Sequence, residues 1–298
     1  MSDQTLAGQN NAQSAMMAFV RALKSFALLR ESGVGMTGVA LILFWVLVAI
    51  FAPWIATFDP NATILPFAKM GAANPAGGTF WLGTDHIGRD IFSRIVWGTQ
   101  TVLIYAPLAT LCAYVVGILM GLAAGYMRGW VDDVLSRIAD IILSFPVLVL
   151  YILIITIFGS SGVNIVLAIT FASSPGIMRI VRGLVLDLRN RDYVAAAQTR
   201  GETSWYIMLI EILPNARGPL IVDACLRLGY VIITIGVLGF LGLGLPPPDP
   251  DWGGMINEAR SMALAFPHMT VIPCIAISSL ILGFNLLADG LREISLRD

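Results

Sequence analysis

Charged residues are scarce in this chain, 12% of 298 against 57% hydrophobic, and the mean hydropathy is +0.81. So few charges cannot cover a water-soluble domain of this length, which excludes an ordinary soluble protein and leaves an all-α polytopic membrane protein. Lysine is nearly absent. Only Lys24 and Lys69 occur, and neither follows the glycine of a phosphate-binding loop, so the chain holds no Walker-type nucleotide site of its own. His86 and His268 are the only histidines, and no nucleophile motif surrounds either, which gives an intramembrane hydrolase no support. The three cysteines, Cys112, Cys225 and Cys274, stand inside apolar runs. An odd number so placed offers neither a disulfide framework nor metal-ligand spacing, and no metal site is expected. A net charge of −1 provides no field for nucleic acid.

What the chain does have is a succession of apolar runs. Residues 1–35 are a polar tail ending in Arg21, Lys24 and Arg30, and the run that follows is long enough to span, so no cleavable signal peptide is expected. A first span is predicted over Met36–Thr57, with a Gly-, Pro- and Asn-rich extramembrane segment to residue 98 completing a first unit, 36–98. A second span, Thr99–Met127, carries Gly117, Gly121 and Gly125 on one face, where another helix can approach closely. The uncharged run 141–178 is too long for one helix and suits two, turning at Gly159–Gly162. Gly218–Gly244 reads as a fifth span, 245–254 as a rigid loop and His268–Ala288 as a sixth. These make a five-helix core, 99–290, before a tail at 291–298. Thirteen basic residues fall on the side of both termini and four on the other, which puts both termini in the cytoplasm.

The most informative stretch is 189–217, RNRDYVAAAQTRGETSWYIMLIEILPNAR, polar and rich in small residues between apolar runs. Asp192 is a candidate N-cap, Ala195, Ala196 and Ala197 favour helix, and Gly201 stands where a left-handed stop is needed. A second helix starting at Thr203 or Ser204 should end by Pro214. Two short helices at a bend would present a knuckle for docking; locally, an ordinary loop hairpin fits equally well. In GTDHIGRDIFSR, Thr84 or Asp85 can cap an exposed helix that pairs Asp85 with Arg89 and Asp90 with Arg94. In LPPPDPDWGG the prolines stiffen a connector and Trp252 can anchor at the membrane interface. Intramembrane carboxylates are few: Asp140, and Asp223 with Arg227, which read as a self-neutralising pair near the cytoplasmic end.

Together these motifs resemble the C-type inner-membrane permeases of dipeptide, oligopeptide and nickel ABC importers. The family's cytoplasmic signature, E-A-A, three residues, G, nine residues, I-x-L-P, is matched by Ala195-Ala196-Ala197, Gly201 and Leu213-Pro214. WLGTDHIGRDIFSR, GYMRGWVDDVLSRIADIILSFP, RIVRGLVLDLRNRDYV, LGFLGLGLPPPDPDWGGMI and FNLLADGLRE are similar to further blocks in the same order. Ala195 replaces the signature glutamate, and Glu211 replaces a hydrophobic residue. The resemblance implies the six-helix type I importer permease fold in a bacterial inner membrane and no catalysis by this chain. It also implies half of a pore for peptides or similar solutes, shared with a second permease. Further implied partners are one or two ABC ATPases that bind ATP and Mg, an extracytoplasmic binding protein and the lipid bilayer. On that reading Asp192, Tyr193, Ala195, Ala196, Ala197, Gly201, Thr203, Ser204, Trp205 and Pro214 couple to the ATPase. Gly83, Thr84, Asp85, Arg89, Asp90, Arg94, Pro246, Pro247 and Trp252 dock the binding protein or form a gate. A stand-alone secondary transporter and a non-transporting docking protein are the alternatives.

Overall fold

The computed structural model describes residues 32–295; most of the expected N-terminal tail and Arg297 lie outside the described residues. The architecture is a bundle of long apolar helices with one small hairpin. Helix α1 (Gly33–Ile50) starts at Ser32, whose hydroxyl accepts the Gly35 N–H at 3.2 Å and donates to Glu293 at 2.9 Å. The beginning of the first helix and the end of the last therefore share one end of the bundle. After the short α2 (Ala52–Ile55), the chain crosses a long loop holding strands β1 (Ala72–Ala73) and β2 (Thr79–Phe80), antiparallel with Ala72 opposite Phe80.

Helix α3 (Ile91–Met127) is 37 residues long, roughly 55 Å at 1.5 Å per residue. It begins well before the predicted Thr99, because Asp90 caps it and accepts the Ser93 N–H at 2.9 Å. Helices α4 (Gly129–Ser144) and α5 (Val147–Phe158) form one bent pair, turned by 89°. Pro146 lies at the break, where it has no N–H for a continued helix. Helix α6 (Gly162–Leu188) starts after the glycine-serine turn that the length of the apolar run predicted. Then come α7 (Asp192–Thr199) and α8 (Ser204–Tyr206), a π-helical stretch Ile207–Ile212, and α9 (Leu213–Phe240). Helix α10 (Trp252–Ala259), unassigned from sequence, is followed by α11 (His268–Ser295), which runs seven residues past the expected end at Ala288. Among the described residues, five helices are long and apolar enough to cross a membrane, and six spans result if the bent pair counts as one.

Glycine organises the packing. A β-carbon at Gly117, Gly121 or Gly125 would lie 2.6, 2.5 or 2.7 Å from the Cβ of Ile177, Val181 or Val185 respectively. The paired numbers rise together, so α3 and α6 run parallel, each glycine admitting one β-branched side chain. Helices α1 and α11 meet the same way, since a β-carbon at Gly38 would stand 2.5 Å from the Leu287 nitrogen. Side chains at these points would force the helices apart. Gly121→Ala is expected to destabilise the protein by about 1–3 kcal/mol, read as a lowered thermal midpoint in detergent. Gly183→Ala on α6, with nothing within 4 Å of the new carbon, should leave the midpoint unchanged or raise it.

Candidate functional site

The knuckle is built where α6 ends. Helix α7 is preceded by Arg191 as its cap residue, without a side-chain bond, so Asp192 is the first helical residue rather than the predicted N-cap. There its carboxylate meets the positive end of the helix dipole. Val194 and Ala197 are fully buried against Ile207, Met208 and Ile212, whereas Ala195 and Ala196 face outward. Of the three alanines, two remain for a partner. Gly201 has φ +80°, and the chain closes on it in a Schellman motif: the Gly201 N–H donates to Gln198 at 3.0 Å and the Glu202 N–H to Ala197 at 3.2 Å. Thr203 then caps α8, its hydroxyl accepting the Tyr206 N–H at 3.3 Å, and leaves Ser204 and Trp205 exposed.

Pro214 does not end the second helix. The six-residue π stretch shifts the backbone pairing just before it, and Pro214 falls in the first turn of α9, where its missing N–H costs little. Residues 204–240 are thus one helical rod running from the knuckle into the bundle. Three side chains that sequence reasoning did not single out hold the knuckle in place. Arg189 donates to the carbonyls of Gly125 and Tyr126 at 3.3 and 3.1 Å, capping the end of α3. Gln198 donates to the Tyr126 hydroxyl at 3.3 Å. Arg200 pairs with Glu211 at 3.0 Å and with Glu202 at 3.6 Å, which gives the unexpected Glu211 a partner. Such a pairing leaves no trace in local sequence pattern.

At the opposite end of the bundle, the segment 83–90 is not an exposed helix. Gly83 and Gly88 have φ +79° and +96°, which shape a tight loop closed by a bridge between Thr84 and Asp90. The Thr84 hydroxyl donates to the Leu65 carbonyl at 2.5 Å and accepts the Ala68 N–H at 2.8 Å. Asp85 and Arg89 do pair, at 2.6 Å, but both are buried, and Arg89 also binds Glu258 of α10. Asp90 has no ion pair with Arg94. It caps α3 and accepts the Ser93 hydroxyl at 2.6 Å, while Arg94 donates to the Pro60 carbonyl at 3.3 Å.

The proline loop packs onto this same region, so the two predicted gate segments meet. Trp252 is fully buried rather than at an interface, because its indole N–H finds the Ile95 carbonyl at 3.0 Å and its ring meets Trp45 at 5.1 Å. Gly98 makes room, since a β-carbon there would be 2.7 Å from the indole. Pro246 and Pro247 stay exposed at the rim. A cavity of about 140 Å³ separates Arg94, Asp249, Asp251 and Glu258. Burial pushes the Asp251 carboxyl up to about 6, although the N–H groups of Gly253 and Gly254 bind it at 3.2 and 3.1 Å. Asp85, His86 and Glu258 lie close enough to share an ion, but Arg89 is already paired with both carboxylates.

Asp223 and Arg227 pair at 2.7 Å as their spacing predicts. The pair stands near the middle of α9, not near its end as expected, because the helix extends beyond Gly218 on the N-terminal side.

Two outcomes follow for the loop cluster. In the native state Asp251 holds its proton up to about pH 6, whereas its ordinary value is 3.8. Its contribution to stability is therefore complete below the unfolded value and lost as pH rises through about 6. The wild-type thermal midpoint, compared with that of Asp251→Asn, should fall across that window; a constant difference would refute the assignment. Trp252→Ala should cost about 3–5 kcal/mol, measured as loss of thermal stability.

Residues 113–297 match the family model described as binding-protein-dependent transport system inner membrane component, and residues 25–75 match the N-terminal TM domain of oligopeptide transport permease C. The chain is 43% identical over 213 residues to the glutathione transport system permease protein GsiD of Pectobacterium atrosepticum, covering 72% of this chain and 71% of that protein. Identity to the dipeptide transport system permease protein DppC of Haemophilus influenzae is 40% over 261 residues, covering 86% and 88%. In fold it is similar to a chain of the inward-facing MetNI methionine ABC transporter, with a TM-score of 0.54 at 18% identity, covering 69% of this chain and 96% of that one. The chain thus belongs to the binding-protein-dependent transport system inner membrane components, the multi-pass permease subunits of bacterial ABC importers.

Proposed function

We propose that this permease forms one half of a translocation pathway for short peptides or solutes of similar size, completed by a second, homologous permease. A binding protein delivers the solute on the side of the proline loop. One or two separate ABC ATPases bind ATP and Mg and seat the knuckle, Asp192 to Trp205, in a cleft. The excess of basic residues near the knuckle supports placing that end, and both termini, in the cytoplasm.

One observation carries the coupling role: the knuckle is bonded to two long helices at once. Arg189 and Gln198 tie it to the end of α3, and the rod 204–240 leaves it directly for the bundle. A push on α7 is then passed on as a rigid-body movement, without flexing a loop. The outward Ala195 and Ala196 allow an ATPase backbone close approach, and the exposed Trp205 adds an aromatic anchor. No carboxylate is needed at Ala195, since shape and the Gly201 bend orient the seat.

Gly201 provides the test. Its surroundings are open, so a substitution acts through φ alone. Gly201→Val places a β-branched residue in the left-handed region at a cost of about 1–2 kcal/mol. ATP-driven uptake by the reconstituted complex should fall about tenfold with membrane insertion unchanged. Gly201→Asn, which tolerates that conformation, should retain most of it. Full uptake by the valine variant would sink the proposal. Ala195→Arg, on the outer face, should abolish co-purification of the ATPase while leaving the thermal midpoint in place.

A further inference from the structure

From Gly218 onward, helix α9 carries its polar side chains in one line. Between Gly218 and Phe240 it is built from apolar residues, glycine, proline and Cys225, except for Asp223, Arg227, Tyr230 and Thr234. These fall at i, i+4, i+7 and i+11, the spacing of a single helix face. The line is open: Tyr230 is 67% exposed, and the side chains of Arg227 and Asp223 are 24% and 23% exposed. Arg227 lies 14 residues past Leu213 and 13 before Phe240, about 20 Å from either end of the helix.

The chain leaves this pair partly exposed. Tyr114 of α3 donates to Asp223 Oδ2, and Arg227 Nε donates to the same oxygen at 2.7 Å, which leaves Oδ1 outside both bonds. On α6 the neighbour is Gly176, where even a β-carbon would remain 3.5 and 3.7 Å from the terminal guanidinium nitrogens. A carboxylate and a guanidinium at this depth are costly against lipid tails, and such groups face a bundle interior or a water-filled passage.

We infer that this face lines the translocation pathway and that Asp223 and Arg227 contact the two charged ends of a zwitterionic solute as it passes. The guanidinium meets a carboxylate and Oδ1 meets an ammonium group. Because the pair is already self-neutralised, it attracts either end weakly enough to release it, which a pathway requires and a storage site does not. The inference rests on the importer function proposed above and names the wall of that importer's passage.

The test needs no knowledge of the natural solute. In a chain with Cys112, Cys225 and Cys274 replaced by alanine, Tyr230→Cys and Thr234→Cys are introduced singly, and the full complex is assembled in proteoliposomes. A membrane-impermeant cationic methanethiosulfonate and its anionic counterpart are the probes. Both cysteines should react, at rates that change on trapping with ATP and vanadate, while Ile221→Cys, on the opposite exposed face, stays unreactive. Adding Arg227→Gln should shift the anionic-to-cationic rate ratio at Tyr230→Cys toward the cation by about threefold or more, the effect on two oppositely charged probes of one charge about 12 Å away through water. Unreactive thiols in a complex that still imports dialanine, or a rate ratio indifferent to Arg227→Gln, would overturn the inference alone. Reaction at rates blind to ATP and vanadate would count against the importer reading, and the inference would fall with it.

Discussion

The seam between α3 and α6 is the contact on which the rest of the molecule depends. Lipid tails are as apolar as leucine, so burying apolar surface between two membrane helices gains almost nothing. What remains is close van der Waals contact, and three glycines received by Ile177, Val181 and Val185 supply it over a length of several turns. The two helices are held parallel and in one register. Helix α7 starts only four residues after α6 ends, so the seam also decides where the knuckle stands. Arg189 completes the arrangement by bonding two of the last carbonyls of α3, which have no partner within the helix.

The other end of the bundle relies on polar groups taken out of water. Arg89 between Asp85 and Glu258, Trp252 on the Ile95 carbonyl and Asp251 on two glycine N–H groups each join segments far apart in the chain. Of these, the buried ion pairs of Arg89 contribute little net stability, but breaking one leaves a charge without compensation. They therefore fix how the proline loop sits on α3. The two ends thus differ in character: a rigid small-residue knuckle at one, a cluster of buried charged and polar groups at the other, with the rod 204–240 running from the knuckle toward the cluster.

Much of this was legible in the amino-acid order. Scarcity of charge announced a membrane protein, uncharged run lengths located the helices, and the four-residue glycine spacing announced a close seam. Gly201 was readable because few other residues accept a left-handed backbone, and the turn at Gly159–Gly162 because a 38-residue uncharged run is about twice what one helix needs to cross a membrane. These signals are local, arising within a few residues of where they act. Less was legible at the loop cluster. The i,i+4 spacing of Asp85 and Arg89 fits a helix and a tight turn equally, and only the glycine conformations beside them choose the turn.

Composition, periodicity and spacing by themselves determined the class of the protein, its helices and the bend of its knuckle, because hydrophobic length and backbone sterics act wherever the residues stand. Tertiary structure alone decided that Pro214 lies inside a continuous rod, that Trp252 is buried, that Glu258 is the second partner of Arg89, and that Glu211 has a partner in Arg200. Each of those depends on a neighbour, a backbone shift or a loss of solvent that appears only when the helices close on one another, and nothing in the local sequence encodes it.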